Sequence, residues 1–260
     1  MSLEPLLVPD IAWVEIPGGP FIDQANQMLD LAPFRIAKYP LTNCQYQTFI
    51  DAGGYEDERW WKDLVKPEPE ASLWLQSNRP KTNVNWYEAV AFCRWLSSRL
   101  GNEIRMPTEQ EWERAARGEK ALVYPWGDEY RSGFANVDEK SSHSGPWYLE
   151  QTVAVGLYPH GQSLYGVEDL SGNVWEWCWN KFDQPEVSSA DSNGDRRVLR
   201  GGSWVCDRGF ARSTVRGGDG PSGRGDGIGF RVLSSPRIFP PLPSAGPIDH
   251  GLRDATGKET

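Results

Sequence analysis

Little in this sequence could hold a metal through nitrogen or sulfur. Its 260 residues include three histidines, His143, His160 and His250, set far apart. That scatter excludes a histidine-built metal site or a histidine-centred triad. The four cysteines, Cys44, Cys93, Cys178 and Cys206, show no paired spacing, so neither a disulfide framework nor a zinc motif is present. For Cys44, Cys93 and Cys178 the simplest expectation is packing in the core. Positive charge is also short: 27 Lys and Arg stand against 36 Asp and Glu, giving a net charge of −9. An acidic chain lacks the basic face that a nucleic-acid backbone requires. No apolar run approaches membrane-spanning length. The opening MSLEPLLVPD has an acid and two prolines where a signal peptide needs a basic start and an apolar stretch. The expectation is a cytoplasmic chain with reduced thiols and no membrane partner. No internal repeat is present.

Aromatics and turn formers are abundant instead: 13 Trp, 27 Gly and 20 Pro. That balance predicts long loops pinned by buried rings. One domain is expected over 1–235, followed by a Pro-rich, flexible tail at 236–260. Residues 11–21 read as a strand entering a Pro-Gly-Gly turn, and Phe34 to Tyr39 as another. Thr42 or Asn43 caps a helix carrying Tyr46, Phe49 and Ile50 on one face. Residues 55–80, with Trp60, Trp61 and Trp74, are expected to form an irregular surface loop. Asn85-Trp86-Tyr87-Glu88 and Thr108-Glu109-Gln110-Glu111 are capping boxes opening helices that end at Gly101 and Gly118. Val174–Trp177, Arg197–Arg200 and Gly229–Leu233 are the expected later strands.

Between Val205 and Gly227 the composition narrows. Arg208, Arg212, Arg216, Arg224, Pro221 and Ala211-Arg212-Ser213-Thr214 interrupt fifteen positions. These are Val205, Cys206, Asp207, Gly209, Phe210, Val215, Gly217, Gly218, Asp219, Gly220, Ser222, Gly223, Gly225, Asp226 and Gly227. They hold only Val, Cys, Asp, Gly, Phe and Ser, each reachable from an AAC or AAT asparagine codon by changing adenines alone. Lys, Glu, Gln, Met and Trp, which adenine changes in such a codon cannot give, are absent from the fifteen. Adenine-directed mutagenesis of an Asn-rich template leaves this pattern, and it points to a binding surface built to vary. An ordinary loop is the competing reading, because loops take Gly for positive φ.

Seven motifs in order carry a resemblance. They are Lys38-Tyr39-Pro40-Leu41-Thr42-Asn43, Asn83-Val84-Asn85-Trp86, Arg105-Met106-Pro107-Thr108-Glu109, Tyr124-Pro125-Trp126-Gly127, Gly172-Asn173-Val174-Trp175-Glu176-Trp177, Arg200-Gly201-Gly202-Ser203-Trp204 and Gly229-Phe230-Arg231. Together they resemble the formylglycine-generating-enzyme, or sulfatase-modifying-factor, domain family over about residues 11–233. The resemblance implies an α+β, C-type-lectin-like fold with few regular elements and long loops.

Three kinds of member compete. Oxidative members hold copper with two cysteines five residues apart. Cys206 matches the first and Ala211 replaces the second, and a two-thiolate copper site cannot be built from one thiol. No copper is therefore expected, and no enzymatic activity. Iron-dependent sulfur-transfer members need a second, His-bearing domain. The third kind is the variable protein of diversity-generating retroelements, whose segment between Gly-Gly-Ser-Trp and Gly-Phe-Arg is mutagenised at template adenines. All fifteen positions lie between those anchors. The resemblance then makes 205–227 a surface for a variable ligand, a protein by expectation. Trp204, Arg208, Arg212, Arg216, Arg224 and Gly229-Phe230-Arg231 would be a fixed frame; alternatively, the arginines touch the ligand. With only Phe210 as an aromatic anchor, weak affinity is expected. The resemblance further implies a structural calcium ion on Asp169, Gly172, Val174 and Glu176, and a second loop beginning at Asn136-Val137.

Overall fold

The computed structural model describes residues 8–235; the tail expected at 236–260 lies outside the described residues. The chain opens with β1 (Trp13–Ile16), a short hairpin of β2 (Gly19–Ile22) and β3 (Met28–Leu31), and β4 (Phe34–Ala37). Three helices follow: α1 (Asn43–Asp51), α2 (Trp86–Leu100) and α3 (Glu109–Arg117), with β5 (Ile104–Arg105) between the last two. The second half supplies β6 (Trp175–Lys181), β7 (Arg197–Arg200), β8 (Arg216–Asp219), β9 (Ile228–Phe230) and β10 (Leu233–Ser234). Among the described residues, no helix is long and apolar enough to cross a membrane.

All three helices start on reciprocal capping boxes, Thr42 with Gln45, Asn85 with Glu88 and Thr108 with Glu111. Each box satisfies two of the amide donors that a helix start leaves free. One four-stranded sheet runs β1-β4-β10-β5, antiparallel throughout, and a second runs β8-β7-β6-β9 with β6 and β9 parallel. Strands β9 and β10 are consecutive in sequence yet belong to different sheets, so Arg231 and Val232 stitch the two together. The single strand expected over Gly229–Leu233 therefore breaks at Arg231. Its guanidinium turns inward and donates to the carbonyls of Ala37, Lys38, Glu168 and Asp169.

Rings dominate the core. Tyr46 and Phe49 of α1, Phe92 and Trp95 of α2, and Phe230 of β9 contact one another in stacked, tilted and edge-on pairs. Trp177 lies fully buried with its indole N–H on the Val84 carbonyl. A second cluster joins Trp112, Ala115 and Ala116 of α3 to Phe34, Ile36 and Val198.

Three expectations need correction. Residues 55–80 are not merely a surface loop: Glu58–Trp61 form a 3₁₀ turn, and Trp60 and Trp61 are buried against the core. Cys93 and Cys178 are buried, but Cys44 is exposed, because the start of α1 faces outward there. Ile50 likewise stands on the open side of α1. Strand β8 has no sequence signal at all. Arg-Gly-Gly-Asp is a poor strand former and is extended only because it pairs along β7, Arg200 opposite Arg216 through Arg197 opposite Asp219.

Candidate functional site

The segment 205–227 leaves β7 through Gly201 and Gly202, both at positive φ (96° and 73°). A side chain at Gly202 would also place its Cβ 2.9 Å from the Phe210 carbonyl oxygen. This tight turn folds the segment back over the domain.

The frame beneath grips the segment mainly by its backbone. Carbonyl oxygens of the segment accept from the Asp138 amide at Cys206 (2.8 Å), the Tyr124 hydroxyl at Arg208 (3.2 Å) and the Ser171 hydroxyl at Ala211 (2.7 Å). Further along, the Arg200 guanidinium holds Ser213, the Trp86 amide holds Pro221 and the Asn83 amide holds Gly225. None of these bonds depends on a side chain of the fifteen positions. Under them lies a charged network: Glu109, almost fully buried, accepts from Arg216 at 2.6 and 3.0 Å and from Arg200 at 3.4 Å. Arg200 continues to Glu113, and Glu113 to Arg117. At the other end Arg224 bonds to Glu88, Glu70 and the Glu68 carbonyl.

The arginines thus divide. Arg216 and Arg224 are held in ion pairs, whereas Arg208 and Arg212 are exposed. Among the described residues neither exposed guanidinium has a side-chain partner, so these two do not bind the segment to the domain as a frame residue would. Trp204 is half-buried, edge-on to Trp74 at 5.5 Å and stacked with Tyr148 at 6.3 Å. Trp147, next to Tyr148 in sequence, is exposed. Burial, then the carboxylates of Asp138 and Glu150, raise the Tyr148 phenol above its ordinary range.

None of the fifteen adenine-accessible positions is buried; Val205, Phe210 and Ser222 are exposed and the rest half-buried. Between them, Ala211, Ser213 and Pro221 are buried. None of the seven glycines at Gly209, Gly217, Gly218, Gly220, Gly223, Gly225 and Gly227 has positive φ. Glycine in this segment therefore does not answer a left-handed backbone, which was the ordinary-loop explanation for it.

Cys206 is half-buried, with its Sγ 3.5 Å from the Ser203 hydroxyl. Ala211 is fully buried beside Ala135 and Val137. Most of the groups expected to hold calcium have protein partners in the fold. Both oxygens of the buried Glu176 are taken, by Arg231 Nε and Nη2 at 2.6 Å each and by Trp112 Nε1 at 2.9 Å. Gly172 gives its carbonyl to the Val174 amide, and the Asn136 carbonyl accepts from Asn173. Val137 is buried, and the Asn136 side chain is turned to the Gln151 carbonyl and Asn173. Asp169 accepts the Gly156 amide, and burial raises its carboxyl to about 6. Among the described residues no group of three or more His, Cys, Asp or Glu is placed to hold a metal ion.

The sequence alone gives no part in the site to Glu109, Glu113, Arg200, Asn83, Trp74 or Tyr148, the last two of which each meet Trp204. Glu88 was legible only as a helix cap. Nothing local indicates that Glu109 will meet Arg216, 107 residues later.

The sulfatase-modifying factor enzyme 1-like domain profile matches residues 8–236. The chain is 30% identical over 272 residues to a hercynine oxygenase of Mycolicibacterium smegmatis, covering 84% of this chain and 60% of that protein. It spans 56% and 54% of two other hercynine oxygenases. To the inactive C-alpha-formylglycine-generating enzyme 2 of Mus musculus it is 31% identical over 281 residues, covering 87% of this chain and 86% of that one. Among solved structures, Treponema denticola variable protein 1 superposes with a TM-score of 0.62 at 22% identity, covering 86% of this chain and 95% of that one. That is a likeness of fold.

Proposed function

The chain belongs to the sulfatase-modifying factor enzyme 1-like domain family, and within it we propose a non-catalytic binding protein whose surface at 205–227 is diversified by a retroelement. One observation carries this reading. The fifteen sampled positions are all at least partly exposed, while the backbone between them is fixed by bonds from residues outside the set. Side chains at the open positions, Gly220 and Gly225 among them, can then change without disturbing the fold, as in other binding sites where loops vary over a rigid scaffold, whereas a Cβ at Gly217, Gly218 or Gly227 would press on Trp175, Phe182 or Ser203.

The ligand in this reading is a protein. Trp74, Tyr148 and Trp204 offer a constant aromatic shelf beside the sampled positions, and aromatic rings are typical anchors of protein interfaces. Exposed Arg208 and Arg212 would add contacts to acidic groups of the partner. The named variable protein from Treponema denticola supports this reading through its fold alone.

The gene is tested first. Its sequence and the flanking DNA in sister isolates should show substitutions confined to the fifteen codons, a near-copy rich in AAC or AAT, and a reverse-transcriptase gene. An invariant segment without such a copy refutes diversification. A second reading, a degenerate or active copper oxidase, draws on the family's two-cysteine pattern, of which Cys206 keeps one. Stoichiometric copper binding at Cys206 with oxygen uptake would establish it against the first.

A further inference from the structure

A cleft of about 650 Å³ opens between α1 and residues 69–77, and none of the fifteen sampled positions lines it. That is within the range of about 300–1,000 Å³ typical of small-ligand sites. Tyr46 and Ile50 of α1 and Leu75 of the opposite wall give it an apolar lining. Lys81 stands in its wall and is only 5% exposed. Its Nζ donates to the Glu70 carbonyl at 2.6 Å and lies 5.3 Å from the centre of the Tyr46 ring. Among the described residues it has no carboxylate ion pair, whereas Lys38 and Lys181 are paired with Glu168 and Asp195. The charged groups around it are Glu88 of α2, Glu70 of the facing loop and Arg224 of the segment above, with Asp51 also on the cleft wall.

We infer that this cleft binds a small aldehyde or ketone with an apolar body, which Lys81 captures as an imine. The Nζ lone pair forms a bond to the carbonyl carbon, and the carbonyl π pair moves to oxygen, which takes up a proton. The resulting carbinolamine loses water as the C=N bond forms. One water leaves, and no oxidant or reductant takes part. Lysines whose charge is disfavoured by burial serve as Schiff-base formers for this reason. Burial lowers Lys81 to about 8, opposed by Glu88 and Glu70 and assisted by Arg224. Against an ordinary lysine near 10.4, the neutral amine is then about two orders of magnitude more abundant at neutral pH. The inference stands independently of whether 205–227 is diversified.

The test uses the full chain with benzaldehyde and sodium cyanoborohydride, and peptide mass mapping of the reduced adducts. At neutral pH, Lys81 should label at least about tenfold faster than the exposed Lys62, Lys120 and Lys140. Its rate should level off above a pH of about 8 while theirs keeps rising. Lys81→Arg should remove the fast adduct. Ile50→Trp, at a partly exposed position of the lining, should slow it by narrowing the cleft, and this variant carries the test if Lys81→Arg fails to fold. Labelling that simply follows exposure, or a Lys81 adduct indifferent to Ile50→Trp, overturns the inference.

Discussion

Replacing glycines with alanine separates a sampled surface from a conventional loop. Gly220 has nothing within 4 Å of where its Cβ would be, and the nearest atom to a Cβ at Gly225 is Ile228 Cδ1 at 3.5 Å. Neither has positive φ. Alanine there restricts only the unfolded chain, so each substitution should stabilise by about 0.4–1 kcal/mol. In a domain of this size that is a rise in Tm of roughly 1–4 °C. Gly201, at φ 96° with Trp112 at 3.2 Å, is the contrast; alanine there should cost about 1–3 kcal/mol from backbone strain alone. Gly218 lies between these cases. Its Cβ would come 2.5 Å from Phe182, whose ring is flanked by the Arg196 and Arg216 guanidiniums. Displacing that ring should cost about 1–3 kcal/mol, so Gly218 is less free to vary than Gly220 or Gly225. Urea unfolding of the four variants, with a check that the m-value is constant, measures these differences. If Gly220→Ala and Gly225→Ala each destabilise by more than about 1 kcal/mol, glycine is needed by the backbone and the argument from exposure fails.

Other outcomes follow from the frame and the neighbouring loops. Glu109→Ala leaves Arg200 and Arg216 without their buried carboxylate and should cost about 3–5 kcal/mol in the same assay, whereas Arg208→Ala and Arg212→Ala should stay within about 0.5 kcal/mol; equal losses would erase the division among the arginines. Trp177→Ala, at a fully buried ring, should cost about 3–5 kcal/mol, and a loss below about 1 kcal/mol would contradict its place in the core. Because Asp169 is raised from 3.8 to about 6 in the fold, its contribution is complete below about 3.8 and is lost as pH rises through about 6. That loss amounts to about 3 kcal/mol, and Asp169→Asn should restore it at neutral pH. With Glu176 committed to Arg231, calcium and a chelator should give the same Tm; a calcium-dependent rise abolished by Asp169→Asn would place the ion in this loop and displace that pairing.

Much of the fold was legible because its signals are local. Thr42, Asn85 and Thr108 each stand three residues before the side chain that completes the box, and apolar spacing marked the buried faces of α1 to α3. The strand at Arg216–Asp219 was not legible, since its extension comes from β7 rather than from its own residues. Nor was the inward course of Trp60 and Trp61, whose surroundings in sequence are polar; the fold buries both in the aromatic core, with Trp61 against Tyr55 and the Gly54 carbonyl.

The sequence by itself determined the family and the fifteen candidate positions, because motifs and codon-accessible residue types are properties of order along the chain. Exposure, backbone angle and ion pairing are not, and the structure alone decided them. Arg208 and Arg216 look alike in sequence, yet one faces outward and the other closes on Glu109. A guanidinium's role depends on which carboxylate the folded chain brings within about 3 Å of it, and that carboxylate comes from a helix formed a hundred residues earlier.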